Sequence, residues 1–169
     1  PDVPLFQRLD GIYFNSDQDF IDQNSNIEKT YRKASGVIFQ TEFNKQLTYK
    51  YFGRHDNTIV VHNGADTELI SDIKCLTHPK LDSCNDIWAC ASKWRPHKRL
   101  NDNINYFLQH SGENDRLVVA GHADKRLKND KIVYVGEIGQ KELLSLYKAS
   151  KYFIHLAWLD HCPNVVVDA

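Results

Sequence analysis

Ile87-Trp88-Ala89-Cys90-Ala91-Ser92-Lys93-Trp94-Arg95-Pro96-His97-Lys98-Arg99 is the stretch on which the reading of this chain turns. Its first five residues form an unbroken apolar run of strand length, preceded by Asp86 and followed by polar residues. The run reads as a strand, and the alternation of strands and helices that restarts with it points to a parallel sheet. The second half crowds Lys93, Arg95, Lys98 and Arg99 together in a chain otherwise balanced at 21 Lys plus Arg against 22 Asp plus Glu. In open parallel sheets, ligands bind beyond the carboxyl ends of the strands. A basic turn directly after a strand therefore marks the place to look for an anionic ligand.

Downstream the pattern continues as alternation: helix Leu100 to His110, strand Leu117 to Gly121, strand Ile132 to Val135, helix Lys141 to Ala149, strand Tyr152 to Leu156, and a helix starting near Pro163. Such alternation predicts a parallel sheet with right-handed crossovers. Upstream the same alphabet appears earlier. Val3 to Leu9 reads as a strand, Asn15 to Asn24 as a loop, and Ser25-Asn26-Ile27-Glu28 as a capping box opening a helix from Ile27 to Ala34. Gly36 to Gln40 and Thr58 to His62 read as strands around a helix, Glu42 to Phe52, with Phe43, Leu47 and Tyr51 along one side. Asn63-Gly64-Ala65-Asp66 breaks this series as a turn. Thr67 to Asn85 holds Pro79 and no sustained period, and reads as a linker with one short helix. The expectation is an α/β chain with two units: residues 1–66, a linker at 67–86, and residues 87–169.

Composition supports a globular reading, with 41% apolar and 25% charged residues in 169. A formal net charge of −1 provides no broad positive field for a nucleic-acid backbone. The apolar runs, such as Val165 to Val167, are too short to span a bilayer, so we expect a cytoplasmic protein whose membrane contact, if any, is peripheral. The chain opens at Pro1, contains no Met, and stops at Ala169 inside an unfinished helix, so both ends are expected to be internal to a longer protein. Cys75, Cys84, Cys90 and Cys162 form no C-x-x-C pair and read as free thiols. The histidines lack the i, i+4 pairing of a helical metal site, and no metal is expected.

Residues following the other strands reinforce the first. Gly121-His122, Gly136-Glu137 and the run from Trp158 to Asn164 all fall at expected strand ends. Glycines let backbone approach a ligand, and a helix start near Pro163 presents free N–H groups, so their convergence with the basic turn fits a phosphorylated ligand. Taken singly, a basic turn is a solvated loop and a glycine is turn chemistry. Joint placement at strand ends is what distinguishes the two readings.

Asn63-Gly64-Ala65-Asp66, Ser92 through Lys98, Val135-Gly136 with Glu142-Leu143, and Asp160 through Asp168-Ala169 occur in the order found in family 4 glycosyltransferases of the GT-B fold, which the chain resembles over almost its whole length. The resemblance implies two Rossmann-like domains with parallel sheets, both incomplete here, and a hexosyltransferase that uses a nucleotide-sugar donor with retention. Asp160 and Asp168 match the family's acidic pair. Asp160 then stands beside the transferred sugar, and Asp168 accepts hydrogen bonds from the ribose, together with Gly121, Val135, Gly136 and Glu142 around the nucleotide. Lys93, Lys98 and Arg95 match the cations on the donor diphosphate, helped by the backbone N–H groups of Asn164 and Val165. No metal or other cofactor is implied, since the cations take that part. Asp10, after the first strand, is a candidate on the side of the acceptor, whose hydroxyl belongs to a saccharide, lipid or protein. The match departs from the family at Ser92-Lys93, where it has Gly-Arg, and at both carboxylates, where it usually has Glu. Lys lacks the planar fork of Arg, and each Asp is one methylene shorter. Two other readings stay open: another GT-B enzyme, such as a nucleotide-sugar epimerase or phosphorylase, and a non-catalytic nucleotide-sugar-binding module. By the resemblance, residues 1–169 alone are expected to be catalytically silent.

Overall fold

A computed structural model describes residues 3–14 and 20–169. Its elements run β1(Phe6–Leu9), α1(Phe20–Lys33), β2(Gly36–Phe39), α2(Glu42–Phe52), β3(Thr58–Val60), α3(Thr67–Asp72), β4(Ile87–Ala91), α4(Leu100–His110), β5(Arg116–Ala120), β6(Ile132–Gly136), α5(Gln140–Ala149), β7(Tyr152–Phe153) and α6(Asn164–Asp168), with one 3-10 turn at Pro96–Lys98. The strands form two separate parallel sheets, a 3-stranded one ordered β1-β2-β3 and a 4-stranded one ordered β6-β5-β4-β7. The chain accordingly divides into two compact units, residues 1–63 with Asp160–Pro163, and residues 64–159 with Asn164–Ala169.

In the second unit, successive residues of each strand go to opposite faces, as pleated geometry requires. Trp88, Cys90, Leu117, Val119 and Ile132 pack with Ile104 and Phe107 of α4. Ala89, Ala91, Val118, Ala120 and Val133 pack with Leu144, Leu146 and Tyr147 of α5. Both faces are thus covered, which explains why β4 and β5 are apolar at every central position. Full burial of a Leu or Val side chain contributes about 1.5–3 kcal/mol, so the pair of layers supplies most of this unit's stability.

Residues 67–86, expected as a linker, are part of this packing. Leu69, Ile70, Ile73, Leu76, Leu81 and Cys84 all join the α5-side core. Lys148 secures the end of α3 by donating from Nζ to the carbonyls of Ile70, Ser71 and Ile73 at 3.1, 2.8 and 2.7 Å. Their apolar residues lack a clean period because the segment follows the surface of α5 rather than forming one long element.

The first unit has a single covered face, where Leu9, Val37 and Phe39 meet Tyr31 of α1 and Phe52 of α2. Two sequence expectations change here. Helix α1 begins at Phe20, so Ser25 lies inside it and the capping-box reading of Ser25 to Glu28 fails; Glu28 instead pairs with Arg32 one turn on. Part of the loop expected at 15–24, residues 15–19, lies outside the described residues. On α2 the buried positions are Asn44, Thr48 and Phe52, whereas Phe43 and Tyr51 are exposed. Asn44 turns inward because its Nδ2 donates to the Leu9 carbonyl at 2.7 Å, a tie to β1 that apolar spacing does not reveal.

Candidate functional site

The order β6-β5-β4-β7 marks where a candidate site would lie. After β4 the chain builds outward through β5 and β6, then returns to the other side of β4 for β7. This reversal is a topological switch point, where the loops leaving two neighbouring strands diverge and open a crevice at the carboxyl edge. The two loops concerned are the basic turn after β4 and the run after β7.

Hydrogen bonds join these loops into one rim. Trp94 Nε1 donates to the Ala120 carbonyl at 2.9 Å, folding the basic turn onto the end of β5. Gly121 donates from its N–H to the Gly136 carbonyl at 2.7 Å, joining the ends of β5 and β6. Asn103, buried on α4, donates through Nδ2 to the carbonyls of Arg99 and Lys98 at 2.8 and 3.2 Å, and its Oδ1 accepts the N–H of Leu156 at 2.9 Å. Trp158 donates its N–H to the His97 carbonyl at 2.8 Å. The turn carrying Lys93, Arg95 and Lys98 is therefore held from both sides, with Lys93 and Arg95 exposed.

Two glycines are required by this geometry. A Cβ on Gly121, whose φ is +104°, would lie 2.0 Å from the Ser92 carbonyl oxygen and 3.1 Å from Trp94 Nε1. Only glycine tolerates both the backbone angle and the approach. Gly136, with φ +72°, ends β6 after a register shift in which Val119 pairs with Tyr134 and Ala120 with Gly136, leaving Val135 as the extra residue of a bulge. Bulges of this kind commonly re-aim a chain at a sheet edge. Arg99 is the one non-glycine with positive φ among the described residues, at 54°, and it joins the 3-10 turn to α4.

The remaining expected residues divide between the units. Val165 packs against the α5-side core, and Asp168 is half-buried on α6. Glu142 is exposed and caps α5, its Oε2 accepting the Gly139 N–H at 2.6 Å, so that carboxylate fixes the helix start just after Gly136. Asp160 groups with the first unit, as does Asp10. Asp10 accepts hydrogen bonds from Arg8 at 3.2 Å and from Gln40 Nε2, while Arg8 reaches Asn63 at 2.6 Å and Asn63 reaches Gln40 at 3.2 Å. These residues sit at the carboxyl ends of β1, β2 and β3, forming a polar cluster in which Asp10 was anticipated as a site residue and Asn63 as part of a turn motif, but Arg8 and Gln40 were not. Beside it, the His161 ring lies against Gly11, where a Cβ would come within 2.0 Å of the ring, and its backbone oxygen accepts from Thr41 Oγ1 at 2.9 Å.

Cys90 faces the core at the end of β4, and burial pushes its thiol far up, so it is no nucleophile. Among the described residues, no three His, Cys, Asp or Glu side chains gather as a metal would need, and no helix is long and apolar enough to cross a membrane.

No protein-family model matches the chain. No curated protein matches it either. Solved structures do match. Sucrose-phosphate synthase from Thermosynechococcus elongatus superposes with a TM-score of 0.75 at 11% identity, over 96% of this chain and 47% of that one. Anabaena Alr3699/HepE in complex with UDP-glucose superposes with a TM-score of 0.76 at 18% identity, over 98% of this chain and 50% of that one. The same protein with UDP and glucose gives 0.75 at 16% identity. The likeness establishes the fold as the α/β, GT-B type, with Rossmann-like units built on parallel sheets. The chain spans about half the length of the solved structures it matches.

Proposed function

We propose that the chain supplies the donor-binding half of a retaining family 4 glycosyltransferase, which moves a hexosyl group from a nucleotide-sugar to an acceptor hydroxyl. The observation that carries this reading is the fixed basic turn at the switch point of the second sheet, tied to the chain after β7 by Asn103 and Trp158. Solved complexes of a protein with this fold contain UDP-glucose and UDP, which names the class of ligand to test.

In this reading Lys93, Arg95 and Lys98 bind the donor diphosphate, joined by the N–H groups of Asn164 and Val165. As the sugar departs, negative charge grows on the leaving phosphate, and cations already in place stabilise it without reorganisation. The close-set backbone at Gly121, Val135 and Gly136 accommodates the nucleoside, with Glu142 holding the start of α5. Asp168 accepts from the ribose hydroxyls and Asp160 orients the transferred sugar. Asp10, within its network of Arg8 and Gln40, serves the acceptor side. Lysine and arginine neutralise the diphosphate, and no metal enters this scheme.

A binding module without turnover is the second reading. Lys93 in place of a forked guanidinium, and the short carboxylates Asp160 and Asp168, are the features that favour it. Incubation of the full-length protein with UDP-, GDP- and ADP-hexoses and simple acceptors, followed by proton NMR of the anomeric proton, separates the two. The transferase reading expects a glycoside with the donor's anomeric configuration. Tight nucleotide-sugar binding with neither transfer nor donor hydrolysis supports the module instead.

A further inference from the structure

Helix α6 has a burial pattern that its sequence alone does not explain. Val165 and Asp168 are half-buried, while Asn164, Val166 and Val167 are exposed. A spacing of three places Val165 and Asp168 on one face. Val165 packs on the core cluster that contains Tyr147 of α5, so the same face brings the Asp168 carboxylate toward that tyrosine. Tyr147 is only 7% exposed, and its hydroxyl oxygen is buried without a hydrogen-bond partner among the described residues. A hydroxyl in that condition costs stability that phenylalanine would not. Orphaned buried donors of this kind call for an explanation.

Asp168 is the acidic group whose charge reaches this phenol. Burial, and after it the negative charge of Asp168, push the Tyr147 hydroxyl well above the ordinary tyrosine range. The hydroxyl therefore stays protonated at every working pH and remains a donor. A carboxylate has two oxygens, so it can accept from Tyr147 on one and from a sugar hydroxyl on the other.

We propose that Tyr147 is a positioning residue, whose buried hydroxyl donates to Asp168 when nucleotide is bound and holds that carboxylate toward the ribose. This rests on the reading of Asp168 as the ribose-binding group. A side chain that merely fills the core would leave ligand preference untouched, which makes the two roles separable.

The test is isothermal titration of the parent protein and of Tyr147→Phe with UDP, GDP and ADP, then with the 2′,3′-dideoxy form of whichever binds most tightly. The expected result is about a tenfold loss of affinity for the ribonucleotide in Tyr147→Phe, the size of one hydrogen bond to a charged group. Affinity for the dideoxy analogue should equal that of the parent, and thermal stability should not fall. In an Asp168→Ala background, Tyr147→Phe should produce no further loss. Unchanged ribonucleotide affinity in Tyr147→Phe overturns the proposal, as does an equal loss for both nucleotides. If the parent binds none of the three, the donor-site reading fails and this inference with it.

Discussion

Asn103 Oδ1 accepts the backbone N–H of Leu156 at 2.9 Å, while its amide nitrogen donates to the carbonyls of Lys98 and Arg99. One buried amide thus joins the two loops that flank the switch point. Its removal takes a partner from the Leu156 N–H and from the Lys98 carbonyl, while the Arg99 carbonyl still accepts the N–H groups of Asp102 and Asn103. We expect Asn103→Ala to lower stability by about 2–3 kcal/mol and to weaken nucleotide-diphosphate binding beyond what that loss explains. Urea denaturation measured beside UDP titration checks both.

Gly121 is predicted to tolerate no side chain. With a Cβ placed 2.0 Å from the Ser92 carbonyl oxygen, Gly121→Ala must displace the basic turn or the end of β5. The expected cost is about 3 kcal/mol, combining a positive φ with the clash. Gly64→Ala, where nothing lies within 4 Å of the added methyl, serves as the control and should be near neutral. Thermal denaturation of the two variants gives the comparison.

Lys98→Ala should weaken UDP binding by about tenfold while leaving uridine binding unchanged, because its proposed partner is phosphate. Lys93→Arg should bind UDP more tightly than the parent, since the guanidinium can grip two oxygens. A Lys98→Ala variant that loses uridine and UDP affinity equally would show that the residue supports the nucleoside rather than the diphosphate.

Asp115 is expected to make part of the second unit's stability acid-sensitive. Burial alone would raise its carboxyl, but the N–H groups of Gly112, Trp88 Nε1 and Asp86, with the charge of Lys131, outweigh burial and hold it below the usual range. The Gly112 and Trp88 hydrogen bonds measure 2.9 and 3.2 Å. A carboxyl lowered on folding contributes stability above its unfolded value of about 3.9, and that contribution is lost as pH falls through the folded value. Asp115→Asn should therefore cost about 2 kcal/mol at neutral pH and flatten the loss of stability below about pH 4. Urea midpoints across pH 2.5 to 7, roughly the window of carboxylate titration, test this.

What the sequence disclosed follows from what each residue packs against. The bounds of β4, α2 and α4 were legible because their apolar runs end sharply at polar or turn residues, as at Asp86 and Gly53. The basic turn and the glycines after β5 and β6 were legible because strand ends are predictable in an alternating chain. Asn103 and Gln40 were not. Their partners are backbone and side-chain groups far along the sequence, and a polar residue on a helix gives no sign that it faces inward. His161 against Gly11 is a contact across nearly the whole chain, beyond any local pattern. The Ser25 to Glu28 motif misled because a cap signature also occurs inside helices, where its Glu serves an i, i+4 pair.

Backbone amide hydrogen exchange, with and without a saturating nucleotide-sugar, tests the central claim most directly. The ligand used should be the UDP-, GDP- or ADP-hexose that raises thermal stability most. The account predicts added protection at residues 92–98, 121–122 and 136–139, which follow or end the strands of the second sheet, and at residues 164–168 of α6. Protection confined to other segments, or stabilisation by none of the three donors, would contradict it.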